Sequence, residues 1–467
     1  MPYEEILTKT TGVSTEANQG LDDTQKLNAR NNISAAPVSH TSDTTMHITA
    51  AERNAWNAKT NAPFKPARKS YLTFSSLNSF TLKVNDATKH WDGTLEYFAS
   101  NKTWTVWDGT TTLSSVDNDG EYVLYLRGTG NTMITGNSED FRWVLTGFNI
   151  ECIGNIENLL DYAMVEAGNH PTMASYCYGN MFYGCTSLTQ APALPATTLA
   201  THCYQNMFYG CTSLTQAPAL PATTLADYCY RYMFYSCTSI TQAPSLPVTM
   251  LAPYCYDSMF YNCTNLTKAP ILPATTLATN CYFGMFSGCI ALTKAPKLPA
   301  TTLANSCYLN MFRDCTSLTQ APALPATTFA NYCYQYMFYG CTSIKLSSSK
   351  TDEYTQEYRI PITGTGATAT NALTDMFTST GGTFTGTPKI NTTYYLSSDN
   401  IVVRETEIAT LNGYVGSMID GATPKSVTVT LAAASWNSAA KTQTVTVTGV
   451  SATETDQIIT PIPAMAS

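Results

Sequence analysis

A 26-residue unit recurs seven times between Cys177 and Ile344 with no insertion or deletion, and this unbroken register leaves the chain few folds to choose from. The unit opens with a cysteine at Cys177, Cys203, Cys229, Cys255, Cys281, Cys307 and Cys333. A second cysteine follows at Cys185, Cys211, Cys237, Cys263, Cys289, Cys315 and Cys341. A fixed period in this range describes a stacked array, because each unit buries its apolar face only against its neighbours. Within one unit, Cys177, Tyr178, Met181, Phe182 and Cys185 stand at i, i+1, i+4, i+5 and i+8, the inward face of about two helical turns. Thr186 to Ala191 suits a short parallel strand, which Pro192 ends because it has no N–H to donate to a ladder. Leu194-Pro195 then turns the chain, and Thr197 to Ala200 leads to the next copy. The expected architecture is an α/β solenoid, with short parallel strands on one side and short helices on the other.

Charge narrows the partners. Only 12% of the 467 residues are charged, and the net charge is −8. Phosphate backbones are held by clustered Lys and Arg, so nucleic acid is not expected as a partner. There is no run of 18 or more apolar residues, and the first residues lack the basic and apolar regions of a secretory signal, so membrane insertion is not expected either. Fourteen of the fifteen cysteines belong to the repeat. Coils about 4.8 Å apart would set the thiols of each column near disulfide distance, but seven thiols cannot all pair. The expected state is a ladder of reduced, buried packing thiols. Some disulfides formed in an oxidising exterior remain an alternative, and metal binding is the weakest, since the array holds one histidine and no Cys-x-x-Cys pair.

The flanks divide by texture. Residues 1–61 are polar, with two short helical patterns, the second opened by a capping box at Thr49 and Glu52. Residues 62–148 alternate in period two at 70–74, 80–84, 94–97, 103–107, 122–126 and 141–145, with Asp-Gly turns between, which predicts a small antiparallel β-domain. Four of the six tryptophans fall there, and core packing is their expected role. Residues 149–176, with a helical pattern at 156–165, are expected to cap the start of the array. Residues 345–400 contain a decayed copy of the unit at Asn371 to Thr380 and are expected to cap its end. Residues 401–425 read as a linker, and 426–467 alternate Val, Leu or Ile with Thr as a β-module.

Four stretches resemble known families. Met181-Phe-Tyr-Gly-Cys-Thr-Ser-Leu-Thr189 is similar to the BspA-like leucine-rich repeats of bacterial surface proteins, although this period is longer and carries an added Cys-Tyr step. That likeness implies a leucine-rich-repeat solenoid. His47-Ile-Thr-Ala-Ala-Glu-Arg-Asn-Ala-Trp-Asn-Ala-Lys59 and the stretch from Asp22 to Ile33 resemble segments of tail-fibre and baseplate proteins of bacterial viruses. Residues 435–463 loosely resemble a terminal module of viral tail proteins. Together they imply a virion tail fibre that adheres to a glycan or protein receptor on a bacterial surface. Such a fibre would join other tail or baseplate proteins, form a homotrimer and sit on the virion tail. A bacterial cell-surface BspA-like adhesin is the alternative, and a polysaccharide-degrading tail spike comes third.

Where the copies differ, a recognition surface is expected. The outward positions carry Tyr183, Tyr209, Arg231, Tyr232, Tyr235, Asp257, Tyr261, Arg313, Tyr336 and Tyr339, of which the tyrosines and arginines are the candidate contacts. Lys268, Lys294 and Lys297 lie on or beside a second varying column next to the strand. Tyrosine offers contact area and a hydroxyl at little entropic cost, while drift on a solvated face is the bland account of the same columns. Catalysis is not expected, nor is a cofactor or a metal. The array has no glutamate, its three aspartates (Asp227, Asp257 and Asp314) form no column, and no Ser/His/Asp set suggests itself.

Overall fold

The computed structural model describes residues 71–98, 103–136, 141–360 and 369–403. The chain divides into Met1–Lys65 and Pro66–Ser467, and every described residue belongs to the second unit. The helices expected within 1–61, the stretch 404–425 and the β-module at 426–467 lie outside the described residues.

The alternating segment forms β1 (Leu72–Ser76), β2 (Thr81–Val84), β3 (Thr94–Phe98), β4 (Trp104–Val106), β5 (Leu113–Ser114), β6 (Val116–Asn118), β7 (Glu121–Thr129) and β8 (Trp143–Thr146). Asp119 and Gly120 both take positive φ, which lets a two-residue turn join β6 to β7 with Asn118 opposite Glu121. After β9 (Ile150–Ile153) comes the only α-helix among the described residues, α1 (Asn158–Glu166), which buries Leu159 and Leu160. One sheet runs β10-β9-β1-β7-β3-β4, with β6 on β7 and with β10 (Leu188–Gln190) supplied by the first repeat; a second runs β5-β2-β8. Phe74 from the first sheet meets Trp143 from the second at 6.3 Å, and Trp107 meets Trp143 at 5.6 Å. Trp91, Trp107 and Trp143 are buried and only Trp104 is partly exposed.

The repeats do not contain the expected helices. Residues 176–185 and their counterparts are instead a run of overlapping turns. Gly179, Met181, Tyr183 and Cys185 donate their N–H groups three residues back within the coil. The residues between them donate sideways: Tyr178, Asn180, Phe182 and Gly184 reach the carbonyls of Cys203, Gln205, Met207 and Tyr209 at 2.7–2.9 Å. Every fourth residue has positive φ, as at Tyr176, Asn180 and Gly184, and each such residue ends any helix that might begin. Asn, Gly, Ser and Asp supply many of these positions because they tolerate the left-handed region better than most residues. The apolar pairs Cys177-Tyr178 and Met181-Phe182 recur every four residues, a period distinct from the 3.6 of a helix. The expected strand shrinks in most coils to single parallel bridges, such as Gln242 with Lys268 and Lys294 with Gln320, and a second line of bridges, such as Thr276 with Thr302, joins the segments that lead to the next copy.

Both ends of the array are closed. The β-domain donates Ile134 N–H to the carbonyl of Cys177 and Trp143 N–H to that of Met181. Phe182 packs edge-on against Phe74 at 6.1 Å and Trp143 at 6.2 Å. From there one stack of phenylalanines runs through Phe208, Phe234, Phe260, Phe286, Phe312 and Phe338 to Phe377, with centroids 5.4–5.9 Å apart. At the far end residues 370–378 take the place of a further coil: Thr370, Ala372, Thr374, Met376 and Thr378 accept from the last full repeat. Two of their own outward donors, at Phe377 and Asp375, are met by the Gly386 carbonyl and the Thr387 hydroxyl. Beside them lies a sheet ordered β13-β15-β12-β14, formed by β12 (Lys345–Ser347), β13 (Tyr354–Arg359), β14 (Gly381–Gly382) and β15 (Thr393–Ser397). The head of the stretch read as a linker is a strand, β16 (Ile401–Val403), paired in parallel with β11 (Gln320–Pro322).

The left-handed positions make a stability prediction. Asn280 sits at φ 56°, where a β-branched side chain clashes with its own backbone. Asn280→Val should lose about 1–2 kcal/mol in urea unfolding, whereas Asn280→Gly should stay within about 0.5 kcal/mol of the parent.

Candidate binding face

The turn face carries the outward side chains. Tyr183, Tyr209, Tyr235 and Tyr261 form one half-buried column whose rings stack 4.5 Å apart, nearly parallel. The guanidinium of Arg142, from the β-domain, lies 5.7 Å from the Tyr183 ring, at the mouth of a groove of about 260 Å³ also lined by Trp143, Leu145 and Cys185. Farther along, Arg313 lies 4.7 Å from the Tyr339 ring, and Tyr336 meets Tyr339 edge-on at 5.9 Å. Lys268 and Lys294 are exposed on the separate ladder of parallel bridges, and Lys297 is half-buried beyond them. The structure thus brings the predicted tyrosines and arginines together on one face and sets the lysines apart.

A second aromatic column escaped the sequence reading. Tyr176, His202, Tyr228 and Tyr254 precede the leading cysteines of the first four coils, with centroids 4.3–4.5 Å apart. The signal was present in the 26-residue register, but the position fell just outside the presumed helix. Between the columns Arg231 is fully engaged: its Nε donates to Asp257 Oδ2 at 2.9 Å, a terminal nitrogen donates to the Tyr232 hydroxyl, and the guanidinium lies 4.4 Å from the Tyr232 ring. Asp257, expected to point outward, is instead 2% exposed, because it reaches back to the preceding coil and accepts from the Ser258 hydroxyl at 2.8 Å. Burial raises its carboxyl above the usual value, and Ser258 and Arg231 recover only part of that.

The two cysteine columns lie wholly inside. All fifteen thiols are free and buried. In the second column each sulfur donates to the phenylalanine carbonyl of the coil before it, from Cys211 to Phe182 at 3.1 Å through Cys341 to Phe312 at 2.9 Å. Burial pushes Cys185, Cys229, Cys263 and Cys281 up to about 12 and Cys333 to about 11. Neutral, enclosed thiols are poor nucleophiles and poor metal ligands. Among the described residues no three His, Cys, Asp or Glu side chains gather as a metal site, and no helix is long and apolar enough to cross a membrane.

Residues 167–293 and 257–358 match the BspA type leucine rich repeat region, in six copies. No curated protein and no solved structure matches the chain. The array is therefore similar to BspA-type leucine-rich repeats, a likeness that suggests a surface adhesin or another repeat-based binding protein.

Three outcomes follow for this face and its core. The folded thiols hold their protons above the ordinary value near 9 while those of the unfolded chain do not, so the folded state binds more protons between about pH 9 and 12. Stability should be flat from pH 7 to about 8.5. It should then fall by up to about 1.4 kcal/mol per thiol per pH unit, which a urea midpoint series to pH 10.5 would register. For the ion pair, removing Arg231 strands a buried carboxylate. Arg231→Ala should lose about 2 kcal/mol, below the figure for a fully buried pair because Arg231 is partly exposed. Asp257 titrates above the unfolded value, so its ionised form is penalised by folding above about pH 4. Asp257→Asn should therefore be neutral or stabilising at pH 7 by the same unfolding assay.

Proposed function

We propose that this chain is an adhesive receptor-binding protein that acts by contact and not by chemistry. The observation that carries this reading is the pair of aromatic columns over the first four coils, Tyr176 to Tyr254 and Tyr183 to Tyr261. Stacking fixes those side chains before any partner arrives, so little rotamer entropy remains to be lost on binding. No catalysis is proposed: the array's one buried carboxylate, Asp257, is held by Arg231 and Ser258.

In its finer form the reading is a tail fibre of a bacterial virus. Its support is the resemblance of residues 22–33 and 47–59 to fibre and baseplate segments. The partners are then a glycan or protein on a bacterial surface and other tail proteins. The protein works on the virion tail, and a homotrimer multiplies weak single contacts. The cell-surface adhesin is a second reading, favoured by the match of the repeats to the BspA type.

Fluorescently labelled chain incubated with a panel of intact bacteria should be retained by some strains. The double variant Tyr228→Ala, Tyr235→Ala should lower retention at least tenfold while the chain still unfolds cooperatively. Retention by no strain, or equal retention of the variant, would sink the adhesive face. Light scattering separates the finer readings: a trimer that falls apart without residues 1–61 supports the fibre, and a monomer in both forms supports the cell-surface adhesin.

A further inference from the structure

Strand alternation brings one arginine to the junction of the β-domain with the first coil. Phe141, Trp143 and Leu145 are buried in the domain, so Arg142 and Val144 face out. Lys83 stands opposite Val144 in the β2–β8 pair, and directly opposed residues share a side of the sheet. The Arg142 backbone is clamped: its N–H donates to Asn85 Oδ1 at 2.8 Å, and its carbonyl accepts from the Asn85 N–H at 3.0 Å. Trp143, the next residue, ties the strand to the array through the Met181 carbonyl at 2.8 Å.

Of the three arginines beside the turn-face tyrosines, two are neutralised. Arg231 pairs with Asp257 at 2.9 Å and has the Tyr232 ring at 4.4 Å. Arg313 pairs with Asp314 at 3.4 Å and has the Tyr339 ring at 4.7 Å. Among the described residues Arg142 has no carboxylate within ion-pair distance. Its guanidinium lies 5.7 Å from the Tyr183 ring, at the outer limit of a cation–π contact. Tyr183 opens the tyrosine column, so Tyr209 covers one of its faces at 4.5 Å and no ring covers the other among the described residues.

Arg142 and Tyr183 line the same groove of about 260 Å³. That is below the roughly 300–1,000 Å³ of drug-sized pockets, so it suits one small unit. The rest of the lining, with Trp143, Val144, Leu145 and Cys185, is apolar and includes no acid. An unpaired cation in such a place calls for an anion. Inorganic phosphate, hydrated on every side, gains little from apolar walls and an open ring face. A carboxylated sugar uses all three features. Its planar carboxylate matches the guanidinium fork, its C–H face matches the tyrosine ring, and walls that exclude water strengthen the ion pair.

We propose that the groove between the β-domain and the first coil is an acidic-sugar subsite: the carboxylate of one uronic or sialic acid unit of a surface glycan pairs with Arg142, and its ring packs on the free face of Tyr183. This deepens the adhesive reading and rests on it. The key variant is Arg142→Gln, which removes the charge, keeps both backbone bonds to Asn85 and should leave thermal stability unchanged. Saturation-transfer NMR titrations of the full chain would use the methyl glycosides of glucuronic acid, galacturonic acid and N-acetylneuraminic acid, with those of glucose and galactose as neutral comparisons. At least one acid should bind, and more tightly than the neutral sugars. Arg142→Gln and Tyr183→Ala should each weaken that acid at least tenfold. Silence for all three acids, equal binding of the neutral sugars, or undiminished binding by Arg142→Gln overturns the subsite. Displacement of the acid by equimolar inorganic phosphate also overturns it, because that marks a plain anion site. The cell-retention assay separates the two ideas. Equal retention of parent and Arg142→Gln overturns the subsite but leaves adhesion standing, whereas retention of the parent by no strain overturns adhesion itself.

Discussion

Every coil of this protein depends on a division of labour among its backbone N–H groups. Along residues 178–185 alternate donors bond three residues back in their own coil, and the others bond forward into the next coil. Within this run no donor is left for water, and each coil is welded to its neighbour by the main chain as well as by side chains. The cost is a residue with positive φ every fourth position. The array accepts that strain because the sideways bonds form only in this conformation.

Those bonds also explain why the ends are built as they are. A repeat stack exposes unmet carbonyls at one end and unmet donors at the other, and either would invite association. The β-domain answers the first set with Ile134 and Trp143, and residues 370–387 answer the second with a pseudo-coil backed by Gly386 and Thr387. The phenylalanine stack follows the same path from the sandwich core to Phe377, so the apolar core has no internal break. Turn-face residues are consequently rigid, and that rigidity is what a recognition surface of tyrosines needs.

The six period-two runs were legible as strands because alternation maps directly onto the two faces of a sheet. The helix expected in each repeat was misread because two apolar pairs over nine residues fit a period of four almost as well as 3.6, and local spacing cannot tell them apart. Left-handed residues at Tyr176, Asn180 and Gly184 decide between them, but tyrosine there gives no warning, since it seldom adopts positive φ. The same misreading hid the column of Tyr176, His202, Tyr228 and Tyr254, and it turned Asp257 outward when it lies inside.

By itself the sequence determined that the protein is a stacked array, which residues recur at each level, and that cysteine, phenylalanine and tyrosine fill its interior. A strict period leaves no other way to bury those side chains. Only the tertiary structure decided how the coil closes, because the choice between a helix and a ladder of turns rests on hydrogen bonds to residues 25 positions away, such as Tyr178 to Cys203. It also decided which tyrosines stack and where the stack stops, since a ring's free face is a property of its neighbours in space and not of its place in the chain.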